Sequence, residues 1–331
     1  MAERWTLTDR QYRTVAYVTL AALTLIVLTG AAVRLTDSGL GCPTWPRCYG
    51  RVYPPLALHP LIEFGNRALS GFVGFATLFA FAAAFRRRPY RRDLMWLSAT
   101  LPLGVLAQAV LGGYTVREHL APGFVMSHFL LSMVILIGAV ALAWRATYPR
   151  GARRRASTRT LVLAVRGLCL LCAITLAAGT MATAAGPHSG GYTGQHIKRL
   201  TFKGPDTLEW AVNQHATLGA VFGVLVIFVW LLKRRHVRTL DPLEPLTVLG
   251  VLLAAQGLVG AVQYELKLPG EMVWVHVLLA TVTWLVALWA VAAEGSLPPR
   301  RSSDAVDRDD GALSTIVADW SQEPVSASQS Q

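Results

Sequence analysis

Long runs of apolar residues, each closed by a short polar stretch, set the pattern of this chain up to about position 295. A helix needs about 20 apolar residues to cross a hydrocarbon core of ~30 Å. Runs of that order predict eight helices, near 15–35, 62–85, 94–116, 124–145, 161–184, 211–232, 246–264 and 272–293. The expected fold class is all-α integral membrane, because a helix satisfies its own backbone in lipid. The first run is too long for a signal-peptide core and no small-residue cleavage site follows it, so it reads as a retained helix. From about Gly295 the apolar periodicity stops. That segment, with Ser, Asp and a solitary Trp320, reads as a disordered tail.

The polar stretches differ in charge. Arg4, Arg10 and Arg13 precede the first run, and Arg86, Arg87, Arg88, Arg91 and Arg92 follow the second. Arg145, Arg153, Arg154, Arg155 and Arg159 follow the fourth, and Lys233, Arg234, Arg235 and Arg238 follow the sixth. Every basic group comes after an even number of spans. Basic loops stay on the cytoplasmic side, so both termini are expected in the cytoplasm, in a plasma membrane. Only 15% of the residues are charged, against about a quarter in soluble domains. The net charge of +12 lies mostly in those short loops, which suits anionic lipid headgroups and speaks against nucleic acid.

The two halves resemble each other at a shift of about 149 residues. Gly30 matches Gly179, while Asn66, Leu69 and Gly74 match His215, Leu218 and Gly223. After a one-residue slip, Gln108, Gly112 and His128 match Gln256, Gly260 and His276. Four spans per half give both halves one orientation. The expectation is two tandem parallel four-helix bundles, 15–145 and 161–293. A cytoplasmic segment 1–14 precedes them, a basic linker 146–160 joins them, and a tail 294–331 follows.

Asn66, His128, His215 and His276 stand near the starts of the second, fourth, sixth and eighth spans. At a rise of about 1.5 Å per residue they lie roughly one turn inside the external boundary. Polar groups at that depth are functional candidates, and a pair of imidazoles from two helices can ligate haem iron axially. The alternative is hydrogen bonding between helices; repeat-related positions favour ligation for His215 and His276. His119, His188, His196 and His236 fall in loops and are expected to be solvated, whereas His59, just before the second span, reads as a loop or helix-entry residue and a candidate for the site mouth.

Glu63, Asn66 and Arg67 share one helical face. Glu63 is a candidate for proton handling, or for an ion pair with Arg67 at helix spacing. Arg67 and Arg34 suit either a haem propionate or lipid headgroups. Cys42 and Cys48 lie in a short Gly- and Pro-rich external loop, where a structural disulfide is expected, with a redox-active or unpaired pair as alternatives. Cys169 and Cys172 in the fifth span read as small apolar residues.

The Ser38–Pro43 loop with its second cysteine, the Ile62–Arg67 stretch and the histidines at 128, 215 and 276 resemble the haem A synthase family of bacterial type. The resemblance covers roughly residues 10 to 295. It implies oxidation of a ring methyl of haem O to a formyl group, giving haem A for cytochrome oxidase assembly. It also implies haem b between His215 and His276, with the substrate haem near Glu63, His128, Asn66 and Arg67. Glu63 is then the catalytic candidate, and His128, His215 and His276 the iron ligands. Candidate partners are a haem O synthase, the cytochrome oxidase assembly, a quinone or other electron acceptor, membrane lipid and a second copy of the chain in a homo-oligomer, and the sequence does not choose the acceptor or the oligomeric state. Asn66 departs from the family pattern, which has histidine there; His128 alone, or with a histidine such as His59, would bind the substrate iron. The alternatives are a non-catalytic b-type cytochrome passing electrons from quinone to a partner, and a transporter, for which broken helices and midplane charges are lacking.

Overall fold

The computed structural model describes residues 5–148, 158–192, 194–236 and 244–295. Arg4, most of the basic linker, Arg238 and the tail with Trp320 lie outside the described residues. Eight helices follow in order: α1 (Asp9–Leu35), α2 (Leu58–Arg86), α3 (Arg92–Arg117), α4 (Pro122–Thr147), α5 (Arg159–Ala185), α6 (Thr207–His236), α7 (Pro245–Glu265) and α8 (Gly270–Glu294). All eight are long and apolar enough to cross a membrane, and among the described residues no strand forms beyond two isolated bridges.

Local chemistry sets the ends. α1 begins at Asp9, well before the expected residue 15, because Thr8 and Gln11 form a reciprocal capping box. The Gln11 amide donates to the Thr8 hydroxyl at 3.3 Å and the Gln11 side chain accepts from the Thr8 amide at 2.9 Å. Pro122 opens α4 and Pro245 opens α7, where a missing N–H costs nothing. Glu244 caps α7 by accepting from the amides of Leu246 and Thr247.

α1 packs on α2 and α4, and α3 on the same two; α5 packs on α6 and α8, and α7 on the same two. The two sets meet through α1–α8, α4–α8 and α4–α5. One apolar cluster runs through both, including Leu23, Leu101, Leu136, Val165, Phe222 and Trp284. The Trp284 indole crosses from α8 to donate to the Met133 carbonyl at 2.9 Å, and that of Trp274 reaches the Leu28 carbonyl at 3.1 Å. Phe72 and Phe75 on α2, and Val224 and Phe228 on α6, are exposed on the outside, as lipid-facing residues are. Threonine hydroxyls inside the spans bond back to their own helix, as Thr19 does to Val15 and Thr281 to Val277, each at 2.8 Å.

The end of the molecule that carries the arginine groups is tied by ion pairs, and the opposite end is the site end. Arg91 Nη2 lies 2.7 Å from an Asp93 carboxylate oxygen, and Arg145 Nη2, from the end of α4, reaches the same oxygen at 2.8 Å. Arg87 pairs with Asp9 at 2.8 Å. Lys233 on α6 holds both Glu244 and Glu294, which joins the end of α6 to the start of α7 and the end of α8. Asp93→Asn leaves the two guanidiniums without a counter-ion. It is expected to cost about 1–3 kcal/mol, seen as a lower unfolding temperature in detergent; an unchanged temperature would remove this tie from the account.

Candidate functional site

α6 and α8 each place a histidine a short way in from the site end. The rings of His215 and His276 have centroids 6.0 Å apart and planes at 70°. His215 Nδ1 donates to the Thr175 carbonyl of α5 at 3.0 Å, which fixes the ring and leaves Nε2 free to bind a metal. Gly179 makes room for that ring: a Cβ there would lie 3.0 Å from His215 Cε1. Gly260 does the same for His276, at 3.2 Å, and Gln256 Nε2 donates to the His276 carbonyl at 3.1 Å. His276 Nδ1 is buried with no hydrogen-bond partner. The spacing of the two rings accommodates one metal ion with nitrogen bonds of about 2.1 Å. Among the described residues no group of three or more His, Cys, Asp or Glu could hold an ion unaided. A haem asks the protein only for axial ligands, and this pair fits it.

The first half builds the same scaffold with one histidine position changed. Gln108 Nε2 donates to the His128 carbonyl at 2.9 Å and to Ser132 Oγ at 2.6 Å. A Cβ on Gly112 would lie 3.3 Å from His128 Cε1, and His128 Nδ1 is buried without a partner. The counterpart of His215 is Asn66, whose Oδ1 is also buried and unpartnered. Its glycine, Gly30, has nothing within 4 Å of a built Cβ, where Gly179 has an imidazole. Asparagine is shorter than histidine. A cleft of about 390 Å³ opens there between α1 and α2, beside Thr29, Val33, Gly65 and Asn66.

Between α1 and α2 the chain folds back over the start of α2. Cys42 and Cys48 form the expected disulfide, and both are buried. Glu63, buried in α2, accepts the Cys42 amide at 2.6 Å through Oε2 and Arg67 Nη2 at 2.5 Å through Oε1. Arg67 also donates to the carbonyls of Thr44 and Cys42, each at 2.8 Å. The ion pair anticipated at helix spacing is therefore present, and it clamps the disulfide loop. Gly41 lies so close to α2 that a Cβ would sit 2.3 Å from the His59 carbonyl oxygen. His59, in the first turn of α2, has Nδ1 3.0 Å from Ser38 Oγ and stacks on Tyr192 at 5.4 Å.

Tyr192 belongs to the segment between α5 and α6, which reaches across to the first half. The Gly39 amide donates to the Gly190 carbonyl at 2.7 Å. In return Arg34 of α1 donates to the carbonyls of Thr183 at 2.7 Å and His188 at 2.5 Å. Arg34 thus points into protein rather than toward headgroups. His188, expected to be solvated, is half-buried and its Nε2 donates to the Leu268 carbonyl at 2.7 Å, because the segment is packed rather than free. His119 and His196 are exposed as expected, and His236 is the last residue of α6. Cys169 and Cys172 are free thiols, with Cys172 in the apolar core.

The sequence model of the COX15-CtaA family, described as cytochrome oxidase assembly protein, matches residues 13–188. That is more than half of the chain. The chain belongs to the haem A synthase family. It is 32% identical to a heme A synthase of Shewanella oneidensis over 40% of this chain and 44% of that one. A heme A synthase of Halalkalibacterium halodurans is 30% identical over 38% of this chain and 41% of its own length. A protoheme IX farnesyltransferase of Thermus thermophilus is 30% identical over 79% of this chain and 45% of its own. The chain spans less than half the length of these curated relatives.

The haem A synthase match takes in Glu63, Asn66, Arg67, His128 and the disulfide loop, and ends ahead of His215 and His276. The sequence picked out Gln108 and Gln256 as repeat marks, without the carbonyls they pin. It missed Arg199, whose partners are distant in the chain. Gly41→Ala is expected to drive the disulfide loop off α2, seen as faster proteolysis between residues 39 and 50. Gly71→Ala on α2, with nothing within 4 Å of its Cβ, is expected to be neutral or to stabilise by up to about 1 kcal/mol. Equal protease resistance of the two variants would refute the close-packing account.

Proposed function

We propose that this haem A synthase family member oxidises a ring methyl group of haem O to a formyl group, supplying haem A for cytochrome oxidase assembly. The reading takes the halves as two tandem parallel four-helix bundles in a bacterial plasma membrane, with both termini cytoplasmic. The observation that carries it is the inequality of two otherwise matching sites. His215 and His276 form a pair of imidazoles with glycine cradles, whereas His128 faces the repeat with Asn66 in the matching place.

His215 and His276 would hold haem b, which when bound supplies a path for electrons. Thr175 and Gln256 orient that pair through its ring nitrogen and backbone. His128 would bind the iron of the substrate haem, and Gln108 fixes the turn of α4 that carries it. Asparagine is a poor iron ligand beside imidazole, so His128 would be the one side chain of this site to bind the substrate iron. Glu63, one turn from Asn66 on the same face, would take a proton released by the methyl group. Arg67 and the Cys42 amide hold that carboxylate in place. Turning the methyl into a formyl group takes one oxygen atom, supplied by water, and releases four electrons and four protons; two quinones in the bilayer would take them up. The Thermus relative, named a protoheme IX farnesyltransferase and about twice the aligned length, supports a partner that farnesylates haem.

Pigment extraction from the purified protein tests this. Two chemically different haems are expected when haem O is supplied. His276→Ala should lose the second-site haem, and Glu63→Ala should retain it yet yield under about 1% of the haem A, in line with loss of a general acid–base group. Normal haem A from Glu63→Ala would end its assigned role, and a low-spin bis-histidine spectrum from the first site would end single-histidine ligation there. A single unconverted haem type would leave a plain cytochrome.

A further inference from the structure

We propose that Arg34 and Arg199 form a carboxylate clamp above the second histidine pair, which takes the propionates of the haem held by His215 and His276; this rests on the haem reading of that pair. The two guanidiniums come from opposite halves of the chain and converge on one oxygen. Arg34 Nη2 donates to the Thr183 carbonyl at 2.7 Å and Arg199 Nη2 donates to it at 3.0 Å. Arg199 also donates to the Gly186 carbonyl.

Neither cation has an acidic partner among the described residues, and the charge that Arg34 meets is that of Arg199. Nε of each is buried with no acceptor. Burial pushes the Arg199 guanidinium below its ordinary pKa, and no carboxylate offsets the shift. Two like charges brought together out of water, each with a donor left over, are costly unless an anion joins them. Everything the protein itself offers them is a neutral carbonyl. A ligand with two carboxylates is the matching species, since guanidinium binds carboxylate through paired donors.

The place identifies which ligand. Thr183 is one turn beyond Gly179, the residue on which the His215 ring rests, and its hydroxyl donates to the Gly179 carbonyl at 2.8 Å. The His188 carbonyl that also accepts from Arg34 belongs to a residue tied to Leu268, in the turn that leads into α8 and His276. The clamp therefore roofs the helices that carry both histidines. Haem is an apolar plate with two carboxylates on one edge, and in a bilayer that edge must face the boundary and meet cations. Phosphate headgroups would bind from the lipid side; the buried Nε atoms face protein.

Titrating the full-length apoprotein with ferric protohaem and with its dimethyl ester tests the clamp without any substitution. The diacid is expected to bind at least about tenfold more tightly than the diester, as loss of charged hydrogen bonds dictates. Arg34→Gln with Arg199→Gln should erase most of that preference. It should also lower the midpoint potential of the bound haem, because fewer positive charges favour the ferrous form less. Equal binding of diacid and diester, or a double variant that keeps both preference and potential, overturns the clamp alone, provided that His276→Ala still abolishes binding. Failure of the wild type to bind either porphyrin, or full binding by His276→Ala, overturns the haem reading and the clamp with it.

Discussion

Lipid offers no hydrogen bonds, so every polar atom carried into the bilayer must be met by protein or by a ligand. Most of this chain obeys by local means. Threonine hydroxyls return to carbonyls of their own helix, tryptophan indoles reach a neighbour's carbonyl, and Glu63 has both oxygens engaged. The exceptions are what give the molecule its character. Among the described residues, and apart from Gln263 and Thr283, the buried side-chain atoms without partners belong to Arg34, Asn66, Gln108, His128, Arg199, Gln256 and His276. These residues make up the two repeat-related sites and the arginine pair above the second.

The same constraint explains what could be read from the sequence. A run of apolar residues long enough to span has one stable solution, so all eight helices are visible as composition alone. Their starts are less visible, because they depend on single side chains: Thr8 and Gln11 carry α1 back to Asp9. His215 and His276 stand out because repeated polar positions inside apolar runs are improbable as packing. Arg199 does not stand out, since one basic residue in a polar segment looks solvated until the fold brings Arg34 beside it. His188 misleads for the same reason. Glu63 is legible as important but not as to role: the helix spacing shows Arg67, while the Cys42 amide comes from a loop whose path no periodicity encodes.

Duplication makes the Asn66 position informative in a way that a single site would not be. The glycine, glutamine and histidine geometry of α3 and α4 recurs in α7 and α8 to within a few tenths of an ångström in its key contacts. Against that constant background one side chain differs, and its consequences are local and large. Where His215 fills the space over Gly179, Asn66 leaves Gly30 bare and a cleft beside it. A shorter side chain leaves out both an imidazole and the volume that fills the matching space over Gly179. One side chain therefore changes the donor set and the access together, and on the proposed reading that difference would separate a substrate site from a cofactor site.

The halves nevertheless do not stand as independent modules at the site end. The segment after α5 lays Gly190 and Tyr192 against the first half, while Arg34 from the first half roofs the second. Each half thus supplies part of the cover of the other. The disulfide loop is clamped by Glu63 and Arg67, pressed on α2 through Gly41, and linked through His59 to Tyr192. The same segment carries Arg199 and the His188 carbonyl that accepts from Arg34. Duplication alone would give two separate pockets; the exchanged covers bind them into a single unit, so a change at one site has a physical route to the other.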